Sequence, residues 1–187
     1  MPRVAPLSPP YAPETAAQLT NMMPPGLPPI GLFRMFARNL PMTEAMHPWG
    51  RYELGRDLSL GMREREIVID RTCARCGCEY EWGVHVLMFG DRVGLTGAQR
   101  TSLVHGTAGD PCWTDERERL LIEAVDALHD DNDIDDARWA RLASAFDDRR
   151  LVDLLLLCGW YHAVSFAARV TRLPLEPQAP RFPRLPR

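Results

Sequence analysis

Fourteen of the 17 prolines in this 187-residue chain stand at its two ends, nine within residues 1–29 and five at positions 174, 177, 180, 183 and 186. Proline lacks the backbone N–H and fixes φ, so neither end is suited to a helical or sheet ladder. Regular structure is therefore confined to the interior. The expected organisation is an extended proline-rich arm over residues 1–30, a single helical domain over 31–173, and a proline-rich tail over 174–187. The period of three in the tail matches a polyproline II helix. That would line the prolines along one edge with Arg181, Arg184 and Arg187 on another, as a semi-rigid arm lying on its own oligomer.

The interior reads as helix throughout. Leu32, Phe33, Phe36 and Leu40 fall at helical spacing and predict a short helix ended by Pro41, followed by one over Thr43 to Glu53. Arg63 to Arg75 and Cys78 to about Val93 form a central pair, broken at Gly77 and closed at Gly94, where glycine accepts the left-handed conformation of a helix end. Thr96 and Gln99 have capping-box spacing. Glu116 onward is strongly periodic through Leu120, Leu121, Ala124, Val125 and Leu128. The acidic turn 130–136 lacks the closing glutamate of a calcium loop and caps a helix over Ala137 to Ala145. Asp147 to Arg172 is a long helix with few polar residues on any side after Leu154. Such a helix is buried all round, in part by a second copy of the chain.

Composition removes several classes of function. The formal charge is −3 and no basic cluster stands out, so nucleic acid and anionic membrane surfaces are not expected partners. No apolar run of about 20 residues marks a membrane span. All 22 basic residues are arginine; without a lysine amine, Schiff-base and pyridoxal phosphate chemistry are excluded. Five cysteines at crowded spacing are not a secreted disulfide framework, and a cytoplasmic location is expected.

Chemistry concentrates between Met62 and Thr96. On the second central helix Cys78, Glu81 and His85 share one face, at i, i+3 and i+7. Glu66 on the preceding helix can fold back against them. Cys78 in a first helical turn is expected to have a lowered thiol pKa. Cys73, Cys76, Cys78 and His85 have the ligand types of a zinc site. They straddle two helix ends with no second Cys-x-x-Cys downstream, so no metal or cofactor is expected, and Cys73 and Cys76 read as small buried hydrophobes. Tyr80 and Trp82 read as packing residues, and His162 as a core histidine.

These residues carry a resemblance. Arg65-Glu66-Ile67-Val68-Ile69, then Gly77-Cys78-Glu79-Tyr80-Glu81-Trp82, His85 and Gly94-Leu95-Thr96 resemble the core signature of the carboxymuconolactone decarboxylase family, within the alkylhydroperoxidase D-like superfamily. The likeness runs from about Leu32 to Pro177. It implies an all-α, oligomeric fold: dimer is the general default, and the resemblance suggests a trimer or hexamer. Peroxidase members of the superfamily use a Glu, a Cys-x-x-Cys pair and a His. Glu66 takes the Glu position, Cys78 the first Cys and His85 the His, while Glu81 stands where the second Cys would be.

Three functions follow as expectations. The leading one is a decarboxylase-like enzyme acting by acid–base chemistry on a small carboxylated or lactone-like substrate, with Glu66, Cys78, Glu81 and His85 as its catalytic residues. The second is thiol-dependent hydroperoxide reduction at Cys78, resolved by Cys76 or Cys73. The third is a non-catalytic helical oligomer whose proline arms bind a partner.

Overall fold

The computed structural model describes residues 1–185, and among them every regular element is helical. The helices are α1 (Pro13–Asn21), α2 (Gly31–Phe36), α3 (Leu40–Glu53), α4 (Met62–Arg75), α5 (Glu79–His85), α6 (Gly97–His105), α7 (Glu116–Asp131), α8 (Asp136–Ala145) and α9 (Asp148–Val170). A single π turn, Val86–Gly90, extends α5. The fold is all-α, as expected.

Helix α4 is the centre, packed against α5, α6, α7 and α9. Its residues Arg65 to Cys73 are all buried, although Arg65, Glu66, Asp70 and Arg71 are charged types that seldom enter a core unless partnered. Partners are supplied. Arg71 makes a two-pronged pair with Asp126 of α7, at 2.7 and 2.8 Å, and its Nη1 donates to the Leu103 carbonyl of α6 at 2.9 Å. Ile67, Val68 and Ile69 fill the space between with no exposure. The charged residues thus set the order of the surrounding helices, and the apolar ones supply the burial.

Helix boundaries follow their caps. Gly77 and Gly94 take φ of 63° and 66° at the ends of the central pair. Thr96 and Gln99 form the expected capping box. Asp115, Asp135 and Asp147 cap α7, α8 and α9. The expectation at Pro41 was wrong in direction, since this proline lies in the first turn of α3 and starts that helix. A first turn leaves its N–H groups unpaired anyway, and proline's fixed φ suits it. Pro48 lies inside α3 without ending it. The helix expected from Cys78 to Val93 keeps α geometry only to His85 before the π turn.

The N-terminal arm is not wholly extended. Between Pro13 and Pro24 the sequence is free of proline, and Pro13 itself opens α1 at a position that needs no N–H. Ahead of α1, the chain lies along α2 and the end of α9 through Leu7 N to Arg34 O and Arg3 N to Thr171 O, at 3.1 and 2.7 Å. At the other end the tail folds onto its own α5. Tyr80 donates to Glu176 at 2.6 Å, Phe182 N donates to Glu79 at 2.9 Å, and the Phe182 ring meets Trp82 edge-on at 5.3 Å. Any side chain at position 83 would strike the Pro180 carbonyl, so Gly83 permits this close approach. Pro186 and Arg187, counted above in the period of three, lie outside the described residues.

The long final helix is not buried all round within one chain. Val152, Leu155, Leu156, Phe166 and Val170 are exposed and lie along one stripe with Gly159 and Ala163. Contrary to the sequence reading, α9 is by length and composition apolar enough to cross a membrane. Half of its apolar window is buried within the fold, as in a core helix.

Candidate active site

Glu66, Cys78, Glu81 and His85 are brought together, and none is more than 5% exposed. The positions follow from the helices. Glu66 projects from α4 toward the end of α5, where His85 Nδ1 meets Glu66 Oε2 at 2.8 Å. Glu81, one turn earlier on α5, places Oε1 3.5 Å from His85 Nε2. The imidazole therefore stands between two carboxylates. Their attraction outweighs the burial that would strip its proton, and the His85 pKa is pushed up to about 10. At neutral pH it is an imidazolium.

A cationic imidazole donates from both nitrogens. Nδ1–H serves Glu66, and Nε2–H points to the hydroxyl oxygen of Tyr161 at 3.0 Å, with Glu81 beyond good hydrogen-bond range. Glu66 is held from its far side by Arg65, whose Nε donates to Oε1 at 2.7 Å; Nη2 lies 2.6 Å from the same oxygen without an aligned N–H. Phe89, on the π turn and only half-buried, lies tilted against His85 with ring centroids 5.6 Å apart and carries the Arg65 guanidinium over its ring at 4.9 Å. A π turn next to a cluster of this kind fits the tendency of such turns to occur at functional sites.

Two buried groups add to the cluster. Asp70, one turn beyond Glu66 on α4, is fully buried, and among the described residues neither of its carboxyl oxygens has a hydrogen-bond partner. Burial and the neighbouring Glu66 hold its pKa well above the usual carboxylate range. The second oxygen of Glu81 is likewise buried without a partner. An orphaned acceptor costs about 1–3 kcal/mol, so its retention in the core marks the place where a bound group could donate.

Cys78 departs from expectation. It caps α5, and the Glu81 backbone N–H does favour its thiolate, but burial dominates and pushes the thiol up to about 11. A first-turn position lowers a thiol pKa only where the sulfur keeps access to solvent or a cation. Here it is fully enclosed. Cys76 and Cys78 lie beside the same Ser165 hydroxyl. All five cysteines are free.

Sequence reading missed Tyr161, Arg65 and Asp70. Tyr161 falls among the buried apolar residues of α9, and only the need of a buried tyrosine hydroxyl for a partner hints at more. Arg65 and Asp70 stood beside the chosen residues within the same stretch. Tyr80 does more than pack, because its hydroxyl accepts from Leu32 N at 2.9 Å while donating to Glu176, joining α2, α5 and the tail.

The fold is shared. It matches the crystal structure of an uncharacterized peroxidase-related protein from Silicibacter sp. TM1040, with a TM-score of 0.80 over 93% of this chain and 91% of that one, at 18% sequence identity. No protein-family model matches the sequence, and no curated protein does.

Proposed function

We propose that the chain is an enzyme of acid–base chemistry, with His85 as the proton carrier of a buried site and a small carboxylated or lactone-like molecule as substrate. The observation that carries this reading is the His85 imidazolium held between Glu66 and Glu81. A decarboxylation or lactone isomerisation leaves a carbanion or enolate, and a positioned acid accelerates such a step by delivering a proton as charge develops. Glu66, braced by Arg65, orients the imidazole, Glu81 relays or accepts a proton, and Cys78 is a polar wall. The substrate class rests on the resemblance to carboxymuconolactone decarboxylases, which is a finer assignment than the shared fold.

The test is turnover in deuterated water of a panel of small lactone and β-keto carboxylates. The expected result is carbon-bound deuterium in the product, lost in His85→Asn and retained in Cys78→Ala. Turnover that survives His85→Asn would overturn the reading.

One observation favours hydroperoxide reduction as a second reading: Cys76 and Cys78 flank one hydroxyl, on a fold shared with a peroxidase-related protein. Its balance is one hydroperoxide reduced to alcohol and water as two thiols become a disulfide. Counting free thiols after hydroperoxide addition decides it. Loss of two per chain, abolished by Cys78→Ser, supports this reading, and unchanged thiols remove it.

The apolar stripe on α9 supports a homo-oligomer, a second copy covering Val152, Leu155, Leu156, Phe166 and Val170. We place the protein in the cytoplasm on its cysteine usage.

A further inference from the structure

A second constellation lies outside the buried cluster. Cys76 just past the end of α4, His129 on α7 and His162 on α9 bring one sulfur and two ring nitrogens within 4.8 Å of one another. They come from the end of α4 and from α7 and α9, both of which pack against α4. No metal site is expected from the sequence, where Cys76 reads as a small buried hydrophobe, His162 as a core histidine, and His129 belongs to no motif. Cys76 and His129 open onto a groove of about 470 Å³ bounded by Arg75, Phe166, Arg169 and Val170.

The hydrogen bonds are set for ligation. His162 Nδ1 lies 2.9 Å from the Cys158 carbonyl. A carbonyl only accepts, so Nδ1 carries the proton and Nε2 presents a bare lone pair. This is the outer-shell arrangement that fixes the tautomer of metal-bound histidines. That lone pair faces His129 Nδ1 at 3.0 Å. In the metal-free chain one proton bridges the two rings; moving it to the outer nitrogen of His129 frees a second lone pair toward the same point. Bonds of about 2.0–2.1 Å to nitrogen and 2.3 Å to sulfur place tetrahedral ligands roughly 3.3–3.7 Å apart. The present spacing therefore needs only small side-chain shifts.

From this we infer that Cys76, His129 and His162 form a binding site for a zinc-class divalent metal ion, with its fourth coordination position open to the groove. A thiolate with two imidazoles selects zinc, cobalt or copper over magnesium and calcium, which prefer oxygen. Three protein ligands with an open fourth position are the pattern of zinc sites that bind an exchangeable water or ligand. The nearby arginines do not oppose this strongly. Arg169 is engaged with the Cys76 carbonyl at 2.6 Å, and Arg75 is paired with Asp126 and Asp130.

The test uses the untagged, reduced, metal-stripped full chain titrated with Co²⁺. One equivalent per chain should give the sulfur-to-cobalt charge-transfer band and the intense visible bands of four-coordinate cobalt, both bleached by Zn²⁺. Cys76→Ser should abolish the charge-transfer band. His129→Asn and His162→Asn should each weaken binding at least about tenfold, the lower limit for loss of an outer-shell partner alone. Cys78→Ser should leave the spectrum unchanged. Absence of the band in the wild-type chain at excess Co²⁺ would overturn the assignment. So would a band that survives Cys76→Ser and disappears in Cys78→Ser, which would put the metal on the Cys73–Cys78 group. If Cys76→Ser fails to fold, unchanged affinity in both histidine variants would be equally decisive against it.

Discussion

Replacing Glu66 by Gln keeps the shape of the side chain and removes the one anion shared by two buried cations. Arg65 donates to one oxygen of Glu66 and His85 to the other. Without that charge, His85 can shed its proton, but Arg65, only 3% exposed, cannot. Leaving one member of a buried pair uncompensated costs about 3–5 kcal/mol. For a chain of this length each kcal/mol moves the melting temperature by about 2–4 °C, so a fall of roughly 6–20 °C is expected. Urea unfolding measures the free energy directly. Arg65→Met in the Glu66→Gln background should recover part of the loss, because an apolar replacement of the whole pair avoids the stranded charge. The resulting cycle should show a coupling of about 0.5–3 kcal/mol. A Glu66→Gln cost below about 1 kcal/mol, or strict additivity with Arg65→Met, would refute the view that Glu66 organises the cluster.

Other outcomes follow from the same structure. Asp70 and His85 both bind protons more tightly in the folded chain, so each contributes stability that is full below its unfolded pKa and is lost as pH rises toward its folded one. Between about pH 4 and 6.5 the His85 contribution is full and constant, so of the two only Asp70 gives a slope, a loss of stability with rising pH of up to about 1.4 kcal/mol per unit. Asp70→Asn should flatten the stability profile in that window, and a slope left unchanged in urea unfolding would count against a buried neutral carboxyl. Cys78, at about 11, should react with iodoacetamide at neutral pH on the order of a few hundredfold more slowly than a free thiol of pKa 8.5; peptide mapping that finds it labelled first would contradict this. Leu156→Glu with Phe166→Glu should yield a monomer by light scattering, and an unchanged mass would remove α9 as the contact between copies.

The parts of this protein that sequence reading found are those set by local rules. Gly77, Gly94, Thr96 and the capping aspartates mark helix ends through nearby backbone, and the faces of α5 follow from its period. Cys78, Glu81 and His85 could be grouped because one helix carries them, and Glu66 because a short turn returns α4 to α5. Tyr161 could not be found that way: its contact with His85 depends on how α9 crosses the centre. The Cys76, His129 and His162 group is hidden for the same reason, having no spacing to read. The sign of the Cys78 shift was misjudged because a helix start is a local property and burial a global one. Proline density was read too broadly as well, since the proline-free stretch after Pro13 has room for α1.

The state of His85 bears most directly on the proposed chemistry. Nitrogen-15 NMR of histidine-labelled protein, assigned with His85→Asn, follows both ring nitrogens through a pH titration. The expected result is an imidazolium at pH 8 that titrates near 10, with a fall of about one to three units in Glu66→Gln. A neutral ring at pH 8 in the wild-type chain, titrating near 6.5 and indifferent to Glu66→Gln, would contradict the assignment of His85 as a buried proton donor.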